Sequence, residues 1–343
     1  MKKTSLVIGI ALASTLGATP VIADTQSPSA SASGTPTAVE TDLTYDTAVM
    51  PDQLQRILEN ISKAAAAGDK AKDVNQLNNR FVGPALDMRK GNYEVRSNLD
   101  SYRASASIGS ASVMAQVMGK ADESFPRKMI IVSKADDQLV PQALLLKQDS
   151  ARDNYKVNMT AQLLPGATFP QPLDLNYAAD MLGADAQGFT STPQDALTHY
   201  GDVLKNSGEG DFKDKFSDNQ YTQQIKDFQD KTTQNIQAAN GSVTYSHDVQ
   251  PDQTVVMKTS KGSALVFGYY VETITLTPET TDAGSGTISL PDEWKGLAGT
   301  DTTSGPVTVK YGETVLLNIP QQGSSDKISV VGADQDILSV TLG

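Results

Sequence analysis

The sequence predicts an α+β chain of two tandem domains, each with leading helices packed on a curved antiparallel four-stranded sheet. Three observations lead there. Segments recur at a fixed offset of 142 residues. Within each recurring unit a helical period precedes strand-like runs. A polar tail and a proline-bearing connector bracket the units, giving a signal segment at 1–23, a tail at 24–44, a first domain at 45–163, a linker at 164–192 and a second domain at 193–343.

The chain has 343 residues, and one hydrophobic core rarely serves so long a chain. Lys2 and Lys3 precede the short apolar stretch Leu6–Leu16, and Val21 and Ala23 suit a signal peptidase acting before Asp24. The expected location is therefore extracytoplasmic, secreted or held at the cell envelope, with an uncleaved anchor as the competing reading. The apolar stretch is well short of the roughly 20 residues a spanning helix needs. No transmembrane segment is expected in the mature chain. Residues 25–41 are Ser, Ala, Thr and Pro with almost no charge and have nothing to bury, so they read as a spacer.

Pro51 opens the first helix, with Leu54, Ile57, Leu58 and Ile61 on one face. Pro193 opens its counterpart, whose matching face is Ala196, His199, Tyr200 and Val203. Gly68-Asp69 and Gly210-Asp211 end these helices at the same offset. A second helical region carries Leu77, Phe81, Leu86, Met88 and Tyr93, interrupted at Gly83-Pro84 because proline suits a helix start and not its interior. Its partner, with Tyr221, Ile225, Phe228, Thr232 and Ile236 at steps of three and four, is unbroken. Strands are predicted near 112–118, 127–134, 142–148 and 154–163, then near 253–259, 263–277, 306–319 and 327–342. Residues 278–305 form an insertion carrying Trp294. Pro165, Pro170 and Pro172 stiffen the start of the linker.

Long strands bending around a helix make a cone with an apolar mouth. That organisation resembles the cystatin-like and nuclear-transport-factor-2-like superfamily. More narrowly, Phe81-Val82-Gly83-Pro84-Ala85-Leu86, Ser124-Phe125-Pro126-Arg127, Ala151-Arg152-Asp153-Asn154-Tyr155 and Leu163-Leu164-Pro165-Gly166 resemble an uncharacterised secreted or lipoprotein family of actinobacteria, over roughly residues 45–343. The resemblance implies a fold and a location and no reaction. Members of that family often carry a lipid-modified cysteine, which this chain lacks.

Composition narrows the chemistry. There is no cysteine, which removes disulfides, thiolate metal sites and cysteine nucleophiles. The net charge of −12 becomes −14 once Lys2 and Lys3 leave with the signal, so nucleic acid and anionic membranes are disfavoured partners. Only His199 and His247 could serve as imidazole ligands, and they fall on different elements, so neither a metal nor another cofactor is expected. His199 occupies the apolar position of Ile57 in the first unit and is the candidate general base. Trp294 and Tyr200 are the candidate ligand-binding aromatics. Tyr269 and Tyr270 point to opposite faces of one strand, one to the core and one to the surface. The acidic groups Asp122-Glu123, Asp136-Asp137, Asp292-Glu293 and Asp334-Gln335-Asp336 read as solvated turns, and Asp211, Asp214 and Asp218 lack the spacing of a calcium loop. The expected function is a non-catalytic binding or interaction module of the envelope, taking a protein, a peptide or an apolar small molecule. The alternative is an isomerase- or hydrolase-type enzyme using His199 in a cavity of the second domain.

Overall fold

The computed structural model describes residues 5–7, 47–174, 176–238, 240–281 and 284–343. The expected signal segment, apart from 5–7, and the tail lie outside the described residues. Residues Ser5–Val7 run parallel to Thr287–Ser289.

Two helices, α1 (Pro51–Ala71) and α2 (Pro84–Asn98), precede β1 (Val113–Gly119), β2 (Arg127–Ser133), β3 (Gln142–Gln148) and β4 (Lys156–Leu163). Pro51 and Pro84 both sit in the first turn, where the missing N–H is not needed. Leu54, Leu58, Ile61 and Ala65 make the buried stripe of α1, which ends at Lys72 in left-handed conformation (φ 52°). The connector contributes β5 (Ala178–Ala179) and β6 (Met181–Leu182). Then come α3 (Pro193–Lys205), α4 (Gln220–Ala238), β7 (Ser242–Val249), β8 (Val255–Lys258), β9 (Ala264–Thr277), α5 (Asp292–Ala298), β10 (Val307–Ile319) and β11 (Ser329–Leu342). Thr192 caps α3, its hydroxyl accepting from Asp195 N at 3.1 Å.

Each half repeats the order of two helices followed by an antiparallel meander, and the eight expected strands all occur. The expected two separate four-stranded sheets do not. One eleven-stranded sheet runs through both halves in the order β5-β1-β2-β3-β4-β11-β10-β9-β8-β6, with β7 also on β9. The halves are stitched where Leu163 and Gln162 of β4 pair with Gly332 and Ala333 of β11. At the far edges the linker closes the sheet toward a barrel. Its Ala178–Ala179 lies parallel to Met118–Gly119, and Met181–Leu182 lies antiparallel to Val256–Met257. The connector is thus part of the sheet and not a mere spacer.

The reason is burial on both faces. Alternate residues of the first meander, such as Met129, Ile131, Leu144 and Leu146, pack under α1 and α2. The others, Ile130, Val132, Ala143 and Leu145, would face water if each domain stood alone. They meet Val255, Met257, Leu265, Phe267, Tyr269 and Leu316 of the second meander in one shared interior cluster. The outer face of the second meander, with Val266, Tyr270, Val315 and Leu317, packs under α3 and α4. Tyr269 and Tyr270 do point to opposite faces, but both are buried. The cone with an apolar mouth is likewise replaced by a filled interior. Helix α2 crosses the stitch between the halves, and Gly91 lies so close to the Ile337 carbonyl that a Cβ there would be 1.8 Å from its oxygen.

Candidate functional site

Two regions carry concentrated polar chemistry. The first is open. A cleft of about 770 Å³ lies where the linker start (Leu164–Thr168), the segment before α4 (Ser217–Asn219) and the β10–β11 turn converge. The chain is brought there by backbone bonds: Leu164 N donates to Val331 O, Ser217 N to Ile328 O, and Ile328 N to Lys215 O, at 2.9–3.0 Å. A second cleft of about 410 Å³ shares Ser217, Asp218, Asn219 and Lys327 with it. A third, of about 430 Å³, shares Lys261 and Gln321. Through these shared residues the three adjoin as one trough. Its central walls mix hydroxyls, amides, Lys261, Lys327, Asp218 and Asp326 with apolar groups such as Leu164, Pro170, Pro320 and Val330.

The second region is sealed. It lies on the outer face of the C-terminal half, under α4. The strand register sets His247, Glu272 and Tyr311 side by side, with Tyr270, Glu313 and Gln335 in the next row. His247 Nδ1 donates to Glu313 Oε2 at 2.6 Å, and its Nε2 is 3.6 Å from Glu272 Oε1. All three side chains are fully buried. Tyr221 on α4 donates its hydroxyl proton to Glu313 Oε1 at 2.5 Å. Gln335 Nε2 reaches Glu272 at 2.8 Å and Glu313 at 3.2 Å. Glu272 Oε1 has no hydrogen-bond partner among the described residues. Burial works to depress the imidazole, but Glu313 and then Glu272 outweigh it and lift His247 to about 9. Burial pushes Glu272 well above the carboxylate range, opposed by His247 and reinforced by Glu313. Burial, with Glu313 beside it, holds the Tyr221 hydroxyl protonated far above its ordinary value.

On the opposite face of β11 lies a second ionic cluster. Asp336 accepts from Asn92 Nδ2 at 2.9 Å and from the Tyr102 hydroxyl at 3.2 Å, with Arg103 at 3.8 Å. Arg89 pairs with Asp69 at 2.5 Å nearby. Burial raises Asp336 to about 6 against the pull of Arg103. The Asp334-Gln335-Asp336 group is therefore no solvated turn. It sits inside β11, with Asp336 bonded to Asn92 of α2, Asp334 accepting from Thr160 Oγ1 of β4 at 3.0 Å, and Gln335 turned to the His247 cluster.

The sequence-derived candidates fall elsewhere. His199 is half-buried on α3, stacked on Phe212 at 3.7 Å, with Nδ1 3.2 Å from Lys215 Nζ. Burial, aided by Lys215, lowers its affinity for a proton. It lines none of the three clefts. Trp294 is fully buried, not displayed for recognition, and its indole N–H donates to the Tyr311 hydroxyl at 2.8 Å. Tyr200 is fully buried, its hydroxyl 2.9 Å from Thr222 Oγ1. Burial also raises the Tyr200 hydroxyl above its ordinary range. Among the described residues no group of three His, Asp or Glu has metal-holding geometry, Asp211, Asp214 and Asp218 included. No described helix is long and apolar enough to cross a membrane.

The sequence reading missed the role of His247, Glu272 and Glu313. A signal was available: Glu272 and Glu313 each interrupt a strand face that is otherwise apolar, Val266-Tyr270-Ile274-Leu276 and Val309-Tyr311-Val315-Leu317, where an unpaired charge is costly. Comparison with protein-family models, with curated proteins and with solved structures gave no match in any of the three.

Proposed function

We propose that the chain is a non-catalytic binding module of the cell envelope that takes an extended polar chain, an envelope peptide, along the trough. The carrying observation is the contrast between two spaces. The barrel interior, where an apolar ligand would sit, is filled by the protein's own side chains. The open space is a trough of mixed polar and apolar walls whose largest section is about 770 Å³, within the size range of ligand sites. Lysines and aspartates on the same walls suit a peptide, which offers amides along its length and charges of both signs. His199 is not part of this function: among the described residues its ring hydrogen-bonds to no carboxylate and it lines none of the three clefts. By the segments quoted above, we place the chain with the secreted or lipoprotein chains of actinobacteria, working outside the cytoplasm after cleavage near Ala23.

The test is capture followed by mapping. Peptides released from an envelope fraction are passed over the immobilised chain, and those retained are titrated against wild type, against a Lys261→Glu/Lys327→Glu variant, and against Lys90→Glu on exposed α2. A tenfold or larger loss of affinity in the trough variant alone is expected. Equal binding by all three proteins would overturn the assignment.

A further inference from the structure

We propose that the trough is directional: its Lys258–Lys261 end holds a carboxylate of the bound peptide, and its Asp214–Asp218 end holds the amino terminus or a basic side chain. The proposal deepens the peptide reading above and rests on it.

The carrying observation is a gradient of uncompensated charge along the walls. At one end, the cleft of about 430 Å³ is lined by Lys120, Lys258, Lys261 and a single carboxylate, Asp180. Lys120 pairs with Asp180 at 2.6 Å. Lys258 and Lys261 make no ion pair among the described residues, so three lysines against one carboxylate leave this end at +2. At the other end, the cleft of about 410 Å³ is lined by Glu209, Lys213, Asp214, Asp218, Lys226 and Lys327. Lys213 pairs with Glu209 at 2.5 Å and Lys226 with Asp230 at 2.8 Å, which leaves Asp214 and Asp218 against Lys327 alone. The section between them balances Lys261 and Lys327 against Asp218 and Asp326. The chain as a whole has a net charge of −12, so the two unpaired ammonium groups run against the charge of the molecule. A ligand charged at both ends is oriented by such a gradient, because reversing it would set like charges together at each end.

The lysine end is also held in place. Lys258 is the last residue of β8, and the chain turns through Lys261 into β9. The linker braces that turn from outside. Lys258 N donates to Asp180 O at 3.0 Å, and the Tyr177 hydroxyl donates to Lys258 O at 2.7 Å. Ser260 N donates to Oε1 of the buried Gln171 at 2.6 Å. Within the turn, Gly262 N donates to Thr259 O and Thr259 N to Ser263 O, both at 2.9 Å. The backbone under both ammonium groups is thus fixed before a ligand arrives, and only side-chain freedom is lost on binding. Asp180 shows what a carboxylate meets here. The Lys120 ammonium that donates to it, and beyond that the charge of Lys258, hold its carboxyl below the ordinary range. A peptide brings carboxylates from two sources, its C-terminus and the side chains of Asp and Glu, and both present the same pair of acceptor oxygens.

The test uses a mixed-sequence octapeptide library in three forms: free acid, C-terminal amide, and C-terminal amide lacking Asp and Glu. Each is titrated at low salt against wild type, Lys258→Gln/Lys261→Gln and Asp214→Asn/Asp218→Asn. All four substituted residues are exposed, so the melting temperature should stay at the wild-type value. Two exposed charge pairs are worth about three- to tenfold in affinity, and less at high salt. Passing from the free acid to the form without carboxylates should lower wild-type affinity by that factor. The loss should vanish in the lysine variant and persist in the aspartate variant. A loss on amidation assigns the C-terminus, and a loss only at the last step assigns a side chain; either supports the proposal. Equal wild-type affinity for all three forms, or a loss as large in the lysine variant, would overturn it. If the library binds and Lys261→Glu/Lys327→Glu weakens it while its carboxylates make no difference, the direction falls and the peptide reading stands. If no form binds, both fall.

Discussion

Replacing Gly91 by alanine separates a single continuous sheet from two independent domains by the sign of its effect. In the middle of α2, glycine costs about 0.5–1 kcal/mol relative to alanine, so in a free-standing first domain Gly91→Ala would stabilise. In this structure the new Cβ would lie 1.8 Å from the carbonyl oxygen of Ile337, on the last strand of the other half. Real Cβ atoms do not come closer than about 3 Å, so α2 or β11 must retreat by about 1 Å. The obstacle is strand backbone and not a flexible side-chain end. Met88 beside it packs into the shared interior and Tyr93 into the core beneath α1, so a retreat loosens both. Overpacking of this kind costs about 1–3 kcal/mol, and a rigid obstacle places it at the upper end. Net of the helix gain, a loss of about 2 kcal/mol is expected. For a chain this long, with an unfolding entropy of about 2.1 cal/mol/K per residue, that corresponds to roughly 3 °C in Tm. The assay is urea unfolding at constant m together with a thermal melt, with the exposed Lys90→Ala as a control that should move by less than about 0.5 kcal/mol. A Gly91→Ala protein as stable as wild type, or more so, would refute the single-sheet architecture.

The interior can be probed in the same way. Phe267→Ala should cost about 3–5 kcal/mol and open a dry cavity, and a small apolar probe such as benzene should then restore part of the lost Tm. The sole tryptophan, Trp294, should emit far to the blue of free indole and resist iodide quenching in wild type. Trp294→Phe should cost about 1–3 kcal/mol, because the Tyr311 hydroxyl then loses its partner in a dry site. Asp336 is raised from 3.8 to about 6 in the folded chain, so the fold takes up a proton that the unfolded chain does not hold between those values. Its contribution to stability therefore grows as pH falls from about 6 to about 4, by roughly 2–3 kcal/mol. Asp336→Asn should abolish that slope in parallel chemical melts, and a slope equal to wild type would exclude Asp336 as its source.

Local structure was legible because local rules govern it. Pro51, Pro84 and Pro193 mark helix starts, and runs of β-branched and leucine residues mark strands to within a few positions. The partnership between sheets was written in the same residues and misread. Met129-Ile130-Ile131-Val132 and Ala143-Leu144-Leu145-Leu146 are apolar without alternation, the pattern of a strand buried on both faces. A sheet covered by helices on one side cannot account for it, so each half needs the other. The offset of 142 residues matched β1 to β8 but was blind to β7, which Pro251 separates from β8 along the same edge of β9. The candidate site was harder to read for a physical reason. His199 stood out by its place on an apolar stripe, yet that stripe's edge meets Phe212 and Lys215, contributed by a connection with no helical or strand period. Glu272 and Glu313 lie 41 residues apart and far from His247 in sequence, and only the register of β9 against β7 and β10 brings them together. A buried carboxylate is costly unless paired, so two in one dual-faced sheet already demand a cationic or proton-bearing partner. With lysine and arginine absent from the facing positions, the imidazole of His247 is what remains to meet that demand.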